Sequence, residues 1–344
     1  VTEEEDEKLG TLVKLAYEKD HISRPSLQKF MLYAIGCAQK RLKYDTLRRR
    51  VLAYLWTLPR WFALPAIASS VALGCILAGA SGWLTAVAIV CGGLLMAWAH
   101  VMNSVLDYSW TKLDTGSPDE RSRPKDYTTG QQAIASGLLR PAGVFLSALG
   151  WLVLSVFLAV VLTVYGTPWV WLPWGLMALA TFGYSYGKLH YACELVLGLG
   201  FGSFAVMLGS ASSETFTFSM FKDAFLAGIP FVIMFGFAME AWDQWRDADV
   251  NWDKGLRNLG AWVWKTGGSI SNLCGWLVAM SYVVQVVLVE SDILPRMSLI
   301  SLVSILPYAY CLAVLEKQQR LGVLLGLLGC FSYMVLLVVG TAIV

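Results

Sequence analysis

Two stretches of this chain gather oxygen-bearing side chains at helical spacing. HVMNSVLDYSWTKLDTG brings His100, Asn103, Asp107 and Asp114 close to one helix face, because residues three, four and seven apart are neighbours. MEAWDQWRDADVNWDKG repeats the device with Glu240, Asp243 and Asp247 on one face, and Asp249 and Asp253 follow. Stacked carboxylates repel one another, and a cation lets them coexist. Hard oxygen ligands suit Mg²⁺, which takes one or two carboxylates and completes its shell with water and phosphate oxygens. Isolated acids can do no more than solvate a helix end. Two clusters, each with three or more candidate ligands, point instead to a pair of Mg²⁺ sites facing a shared diphosphate. The candidate metal ligands are Asn103, Asp107, Asp114, Asp243, Asp247, Asp249 and Asp253.

Basic partners for such a ligand are present. Tyr184-Ser-Tyr-Gly-Lys188 ends an apolar run, so Lys188 can reach phosphate oxygens as a point charge. Arg60, Arg246 and Arg257 are further cationic candidates. His100 and His190 read as hydrogen-bonding neighbours. The seven cysteines are scattered through apolar stretches without a CxxC pair, which reads as small apolar residues in helices and excludes a disulfide framework or a zinc site.

These residues need elements to hold them, and composition says what those are. Of 344 residues, 57% are hydrophobic and only 15% charged, far from an ordinary soluble domain. That balance excludes a disordered chain, a nucleic-acid binder and a cytosolic globule. Apolar runs of about twenty residues, the length that spans a bilayer core, recur at roughly 61–80, 84–106, 142–165, 168–187, 191–211, 223–242, 268–289, 297–315 and 322–343. The expected fold is all-α, a polytopic membrane protein of nine transmembrane helices around a central cavity open to the cytoplasmic side. With the N-terminus inside, every Lys and Arg except Lys222 and Arg296 falls on the cytoplasmic face, as the positive-inside rule requires. Both acidic clusters fall on that face too. Residues 1–57 read as a cytosolic helical extension, acidic at its start, and 58–344 as the membrane domain.

In this arrangement the motifs resemble the UbiA superfamily of intramembrane prenyltransferases. Asn103-Ser-Val-Leu-Asp107 is similar to the first aspartate-rich motif, and the downstream AIASG at 133–137 to the small-residue stretch that closes its loop. Tyr184 to Lys188 resembles the YxxxK element, followed by the Gly-rich ELVLGLGFG. Asp243-Gln-Trp-Arg-Asp247 with Gly255-Leu-Arg-Asn-Leu259 looks like the second motif and its trailing segment. The resemblance covers about residues 58–343. The sequence departs from the pattern at Ser104, where many members carry a second acid, and in the longer step from Asp107 to Asp114. It departs again at Gln132-Ala133 and at Asn251.

The resemblance implies an enzyme that moves a prenyl group from a prenyl diphosphate to an acceptor, a small aromatic quinone precursor or a lipid, through an allylic carbocation. Asp107, Asp247 and Lys188 are its expected catalytic residues. Asn103, Tyr184, Lys188, Arg246 and Arg257 would bind substrate, and Mg²⁺ would be the cofactor. Trp110, Tyr184, Tyr186, Trp242 and Trp245 could turn ring faces towards the cation. A membrane terpene cyclase, in which the cation is captured by its own chain, is the alternative. A transporter fits less well, because it would place ionisable residues near the bilayer midplane. Membrane lipids are expected partners and nucleic acid is not.

Overall fold

The computed structural model describes residues 51, 53–109, 134, 139–246, 248, 252–314 and 319–343. The expected N-terminal extension therefore lies almost wholly outside the described residues. So do Asp114, Asp247, Asp249, Asn251 and Trp110.

Among the described residues there is no β-strand, and each expected membrane segment holds a helix. In chain order these are α1 (Leu64–Leu77), α2 (Gly82–Ser109), α3 (Pro141–Tyr165), α4 (Trp171–Gly187), α5 (Cys193–Ala211) and α6 (Met220–Trp245). A short helix α7 (Leu259–Thr266) follows, then α8 (Ile270–Glu290), α9 (Arg296–Ala313) and α10 (Gln319–Ala342). Seven of them, α2, α3, α5, α6, α8, α9 and α10, are long and apolar enough to cross a membrane. The protein is an integral, multi-pass membrane protein. The other two expected segments are helical but shorter, 14 residues in α1 and 17 in α4.

Local chemistry fixes several helix ends. Pro141 opens α3, where its missing N–H costs nothing. Ser269 caps α8 by accepting the Asn272 N–H at 3.2 Å. α7 begins at Asn258, whose side chain accepts the Ala261 N–H at 2.8 Å, and ends at Gly267 in the left-handed conformation (φ 67°).

Helices in lipid gain little from burying apolar surface against one another, so association depends on close backbone approach and a few polar contacts. The chain supplies both. A methyl group on Gly74 of α1 would run into the Val206 carbonyl of α5, and one on Gly209 of α5 into the Val71 carbonyl of α1. Gly198 of α5 and Gly236 of α6 meet backbone to backbone in the same way. Across α2 and α3, the Ser155 hydroxyl donates to the Cys91 carbonyl at 3.1 Å and accepts the Trp174 indole N–H at 3.0 Å.

Two irregularities sit side by side. α5 is interrupted at Gly202 (φ −97°, ψ −98°), where a side chain would meet the backbone of Val232. Opposite it, Val232–Met239 of α6 is wound as a π-helix, a wider turn that commonly accompanies functional sites. The acidic segment Glu240–Arg246 follows directly.

The glycine crossings predict that Gly209→Ala lowers the thermal unfolding midpoint in detergent by the equivalent of about 1–3 kcal/mol. Gly175→Ala, where a methyl group meets nothing, should leave it unchanged or raise it.

Candidate active site where α2, α4, α5 and α6 meet

The last turns of α2 and α4 face each other, and their contact is ionic. Lys188, just past α4, donates to Asp107 Oδ2 at 2.6 Å, and both side chains are almost fully enclosed (6% and 1% exposed). Asn103, one turn back on α2, donates its amide to the same oxygen at 3.1 Å. Ser185 of α4 donates to Asn103 Oδ1 at 2.7 Å. The helical spacing of 103 and 107, and of 185 and 188, makes this four-residue network possible. Lys188 Nζ also lies 4.6 Å from the centre of the Tyr184 ring, a cation–π contact that helps hold the ammonium in place.

Tyr184 carries the network on to α6. Its hydroxyl donates to Glu240 Oε1 at 2.7 Å, and Gln244 donates to the same oxygen at 2.6 Å. Asn258 Nδ2 reaches Gln244 Oε1 at 3.4 Å. Glu240 is buried and Asp243 half-buried. The two acid-bearing helices are thus linked through the end of α4 by Lys188 and Tyr184.

The loop beyond the second cluster is stitched to the end of α4. Arg257 N–H donates to the Lys188 carbonyl at 2.6 Å, and Tyr191 N–H donates back to the Arg257 carbonyl at 2.8 Å. The Arg257 guanidinium is used locally. It donates to the Trp252 and Leu256 carbonyls at 3.0 and 2.7 Å and stacks on the Trp252 ring at 4.1 Å.

Of the residues expected from the sequence, Asn103, Asp107, Tyr184 and Lys188 come together directly. Asp243 lies on the facing helix, and Asp253 is exposed in the loop. The backbone of Arg246 ends α6, and its side chain lies outside the description. Tyr186 points outward and stacks on His190 with ring centres 4.1 Å apart. Among the described residues no three of His, Cys, Asp and Glu form a metal-holding group. The described donors do suit Mg²⁺ in kind. Asn103, Asp107, Glu240 and Asp243 offer hard oxygens from two helices, and Mg²⁺ needs few protein ligands when a phosphate supplies the rest.

His100 behaves differently from expectation. Its Nε2 is buried without a hydrogen-bond partner, and its ring centre lies 5.8 Å from that of Phe201. Arg60, in a left-handed backbone conformation (φ 52°), likewise has Nε and Nη2 buried and unpartnered. Arg60 and His100 each stand twenty residues from Ala80 in the α1–α2 turn. Arg60 and Lys188 both lie within electrostatic reach of the His100 ring.

Sequence reasoning passed over Ser185, Gln244 and Glu194. The signal for Glu194 was available, since an ionisable residue within a membrane helix is expensive and calls for a partner. Ser185 and Gln244 carry no such mark.

No protein-family model and no curated protein matches the chain by sequence. Solved structures do match. A UbiA homologue from Aeropyrum pernix K1 superposes with TM-score 0.62 at 15% identity, over 81% of this chain and 97% of that one. A digeranylgeranylglyceryl phosphate synthase gives TM-score 0.55 at 14% identity, over 86% of this chain and all of the other. The chain has the UbiA fold. A UbiA homologue from Archaeoglobus fulgidus bound to DMAPP and Mg²⁺ superposes more loosely, at TM-score 0.48 and 15% identity over 83% and 98% of the two chains. In the UbiA fold of this protein, the site described above draws on α2, α4, α5 and α6 together.

Breaking the buried ion pair leaves an uncompensated charge, so Lys188→Met should cost about 3–5 kcal/mol. Adding Asp107→Leu should recover most of that loss. Unfolding midpoints of the single and double variants in detergent measure both effects.

Proposed function

We propose that this protein is a UbiA-type intramembrane prenyltransferase. It would transfer a prenyl group from a prenyl diphosphate to an aromatic or lipid acceptor. The observation that carries this reading is the buried Lys188–Asp107 pair with Asn103, set on the UbiA fold between two acid-bearing helices. A lysine neutralised by a carboxylate at the buried end of a helix bundle is poised to exchange that partner for a phosphate oxygen.

In this reading all nine expected segments cross the bilayer, with the site mouth and N-terminus on the cytoplasmic side. Asn103, Asp107 and Asp114 on one side, and Asp243, Asp247, Asp249 and Asp253 on the other, would hold Mg²⁺. Bound there, Mg²⁺ supplies positive charge at the departing diphosphate. Lys188 donates to the same phosphate oxygens, and because charge accumulates on them as the C–O bond breaks, its contribution favours the transition state over the bound substrate. Tyr184 steadies the ammonium through its ring. Asn103, Tyr184, Arg246 and Arg257 would help to bind the prenyl diphosphate. The apolar surround keeps water from an allylic cation until the acceptor attacks it.

The acceptor's chemistry has a foothold in Arg60 and His100. Buried nitrogens without partners are costly, and an acceptor bearing a carboxylate or phosphate would satisfy them. This favours transfer over cyclisation, which needs no acceptor.

The reading is tested by incubating the purified protein with labelled geranyl to polyprenyl diphosphates, Mg²⁺, and benzoate, naphthoate or glyceryl phosphate acceptors. Prenylated acceptor should form, disappear with EDTA, and fall at least about 100-fold in Asp107→Ala and Lys188→Ala. A cyclic hydrocarbon formed without any acceptor would establish the cyclase alternative instead.

A further inference from the structure

The mechanism above gives no role to Glu194, a carboxylate buried away from the Lys188–Asp107 pair. Glu194 sits in the first turn of α5 and is 2% exposed. Its Oε1 accepts the Leu259 N–H at 2.6 Å, and its Oε2 accepts from the Cys193 thiol at 3.3 Å. Among the described residues no cation pairs with it, so its charge is balanced largely by a backbone donor at the start of α7, where the helix dipole favours an anion. An apolar residue in its place would leave the Leu259 N–H without this acceptor.

What it grips gives the explanation. Leu259 is the first residue of α7, and Asn258, which caps that helix, reaches back to Gln244 of the acidic segment. Two residues before Leu259, Arg257 exchanges a pair of backbone hydrogen bonds with Lys188 and Tyr191. Glu194 therefore anchors the far end of a strap whose near end is the Lys188 carbonyl. Leu256 and Asn258 within the strap are fully buried, so it has no slack to absorb a lost anchor.

We infer that Glu194 is a positioning residue that fixes the strap 256–259 and, through the Arg257–Lys188 backbone pair, sets where the Lys188 ammonium stands relative to Asp107. This deepens the prenyltransferase reading, and rests on it for its kinetic consequence, while the strap itself can be observed whatever the protein catalyses. Glu194→Ala removes the anchor. Glu194→Gln keeps an oxygen acceptor for the Leu259 N–H and should behave like the parent.

Hydrogen–deuterium exchange on the full-length chain in nanodiscs reads the strap directly. In Glu194→Ala, the amides of 256–261 and of the 188–191 turn should lose protection together by at least about tenfold, and Glu194→Gln should retain it. Kinetics then read the consequence. Glu194→Ala should lower kcat/KM for the prenyl diphosphate at least about tenfold, and the same change should cost under about twofold when Lys188 is already alanine. Deprotection confined to 259–261, with the 188–191 turn unchanged, would overturn the inference. Equal losses of kcat/KM in both backgrounds would overturn it as well. If exchange shows the coupled strap but no variant turns over a prenyl diphosphate, the functional reading fails and the mechanical one stands.

Discussion

A lysine and an aspartate buried against each other in a lipid-embedded bundle set the terms for everything around them. Neither charge is tolerable alone at that depth, so α2 and α4 must keep the register that brings Lys188 Nζ to 2.6 Å from Asp107. Asn103 and Ser185 occupy what hydrogen-bonding capacity remains between the two helices. Tyr184 supplies a ring to the ammonium and a hydroxyl to Glu240, and so ties α6 to the same point. A pair of this kind contributes little net stability. In the proposed reaction it would hold two opposite charges ready, one for a cation and one for an anion.

The glycines make that proximity possible. Helices α1, α5 and α6 approach closely enough that backbone meets backbone at Gly74, Gly209, Gly198 and Gly236. Such crossings draw the apolar walls together without large side chains between them. Bulky aromatics stand on both sides of those walls: Phe231 and Tyr333 are fully buried, while Trp83, Trp169, Phe157 and Trp276 are exposed on the bundle's outer surface.

How much of this could be read from the residues alone depends on the signal each one carries. Apolar runs of about twenty residues announce themselves through length, and every expected segment holds a helix. The spacing of Asn103 and Asp107, and the position of Lys188 at the end of an apolar run, sufficed to bring them to one place. The contact between Lys188 and Asp107 was not legible, because no rule of spacing links residues eighty-one positions apart. The hydrogen bonds of the Arg257 guanidinium to two carbonyls and its stacking on the Trp252 ring could not be read from its charge and position. Unpartnered nitrogens such as those of Arg60 and His100 are properties of packing and leave no trace in a linear pattern. The winding of Val232–Met239 is equally hidden, since nothing in VIMFGFAM marks it.

That winding carries a consequence for how the site is aimed. An α-helix advances about 100° per residue, and the wider π turn advances less, so a stretch wound this way leaves the residues that follow on a different bearing than α winding of the same stretch would give. The carboxylates of Glu240 and Asp243 lie immediately downstream. Their bearing towards α4 is thus decided by a local miscount in an apolar stretch that touches no charge. Rewinding that stretch as an α-helix with no residue lost would leave the bundle's outline intact and point its acids at a different neighbour.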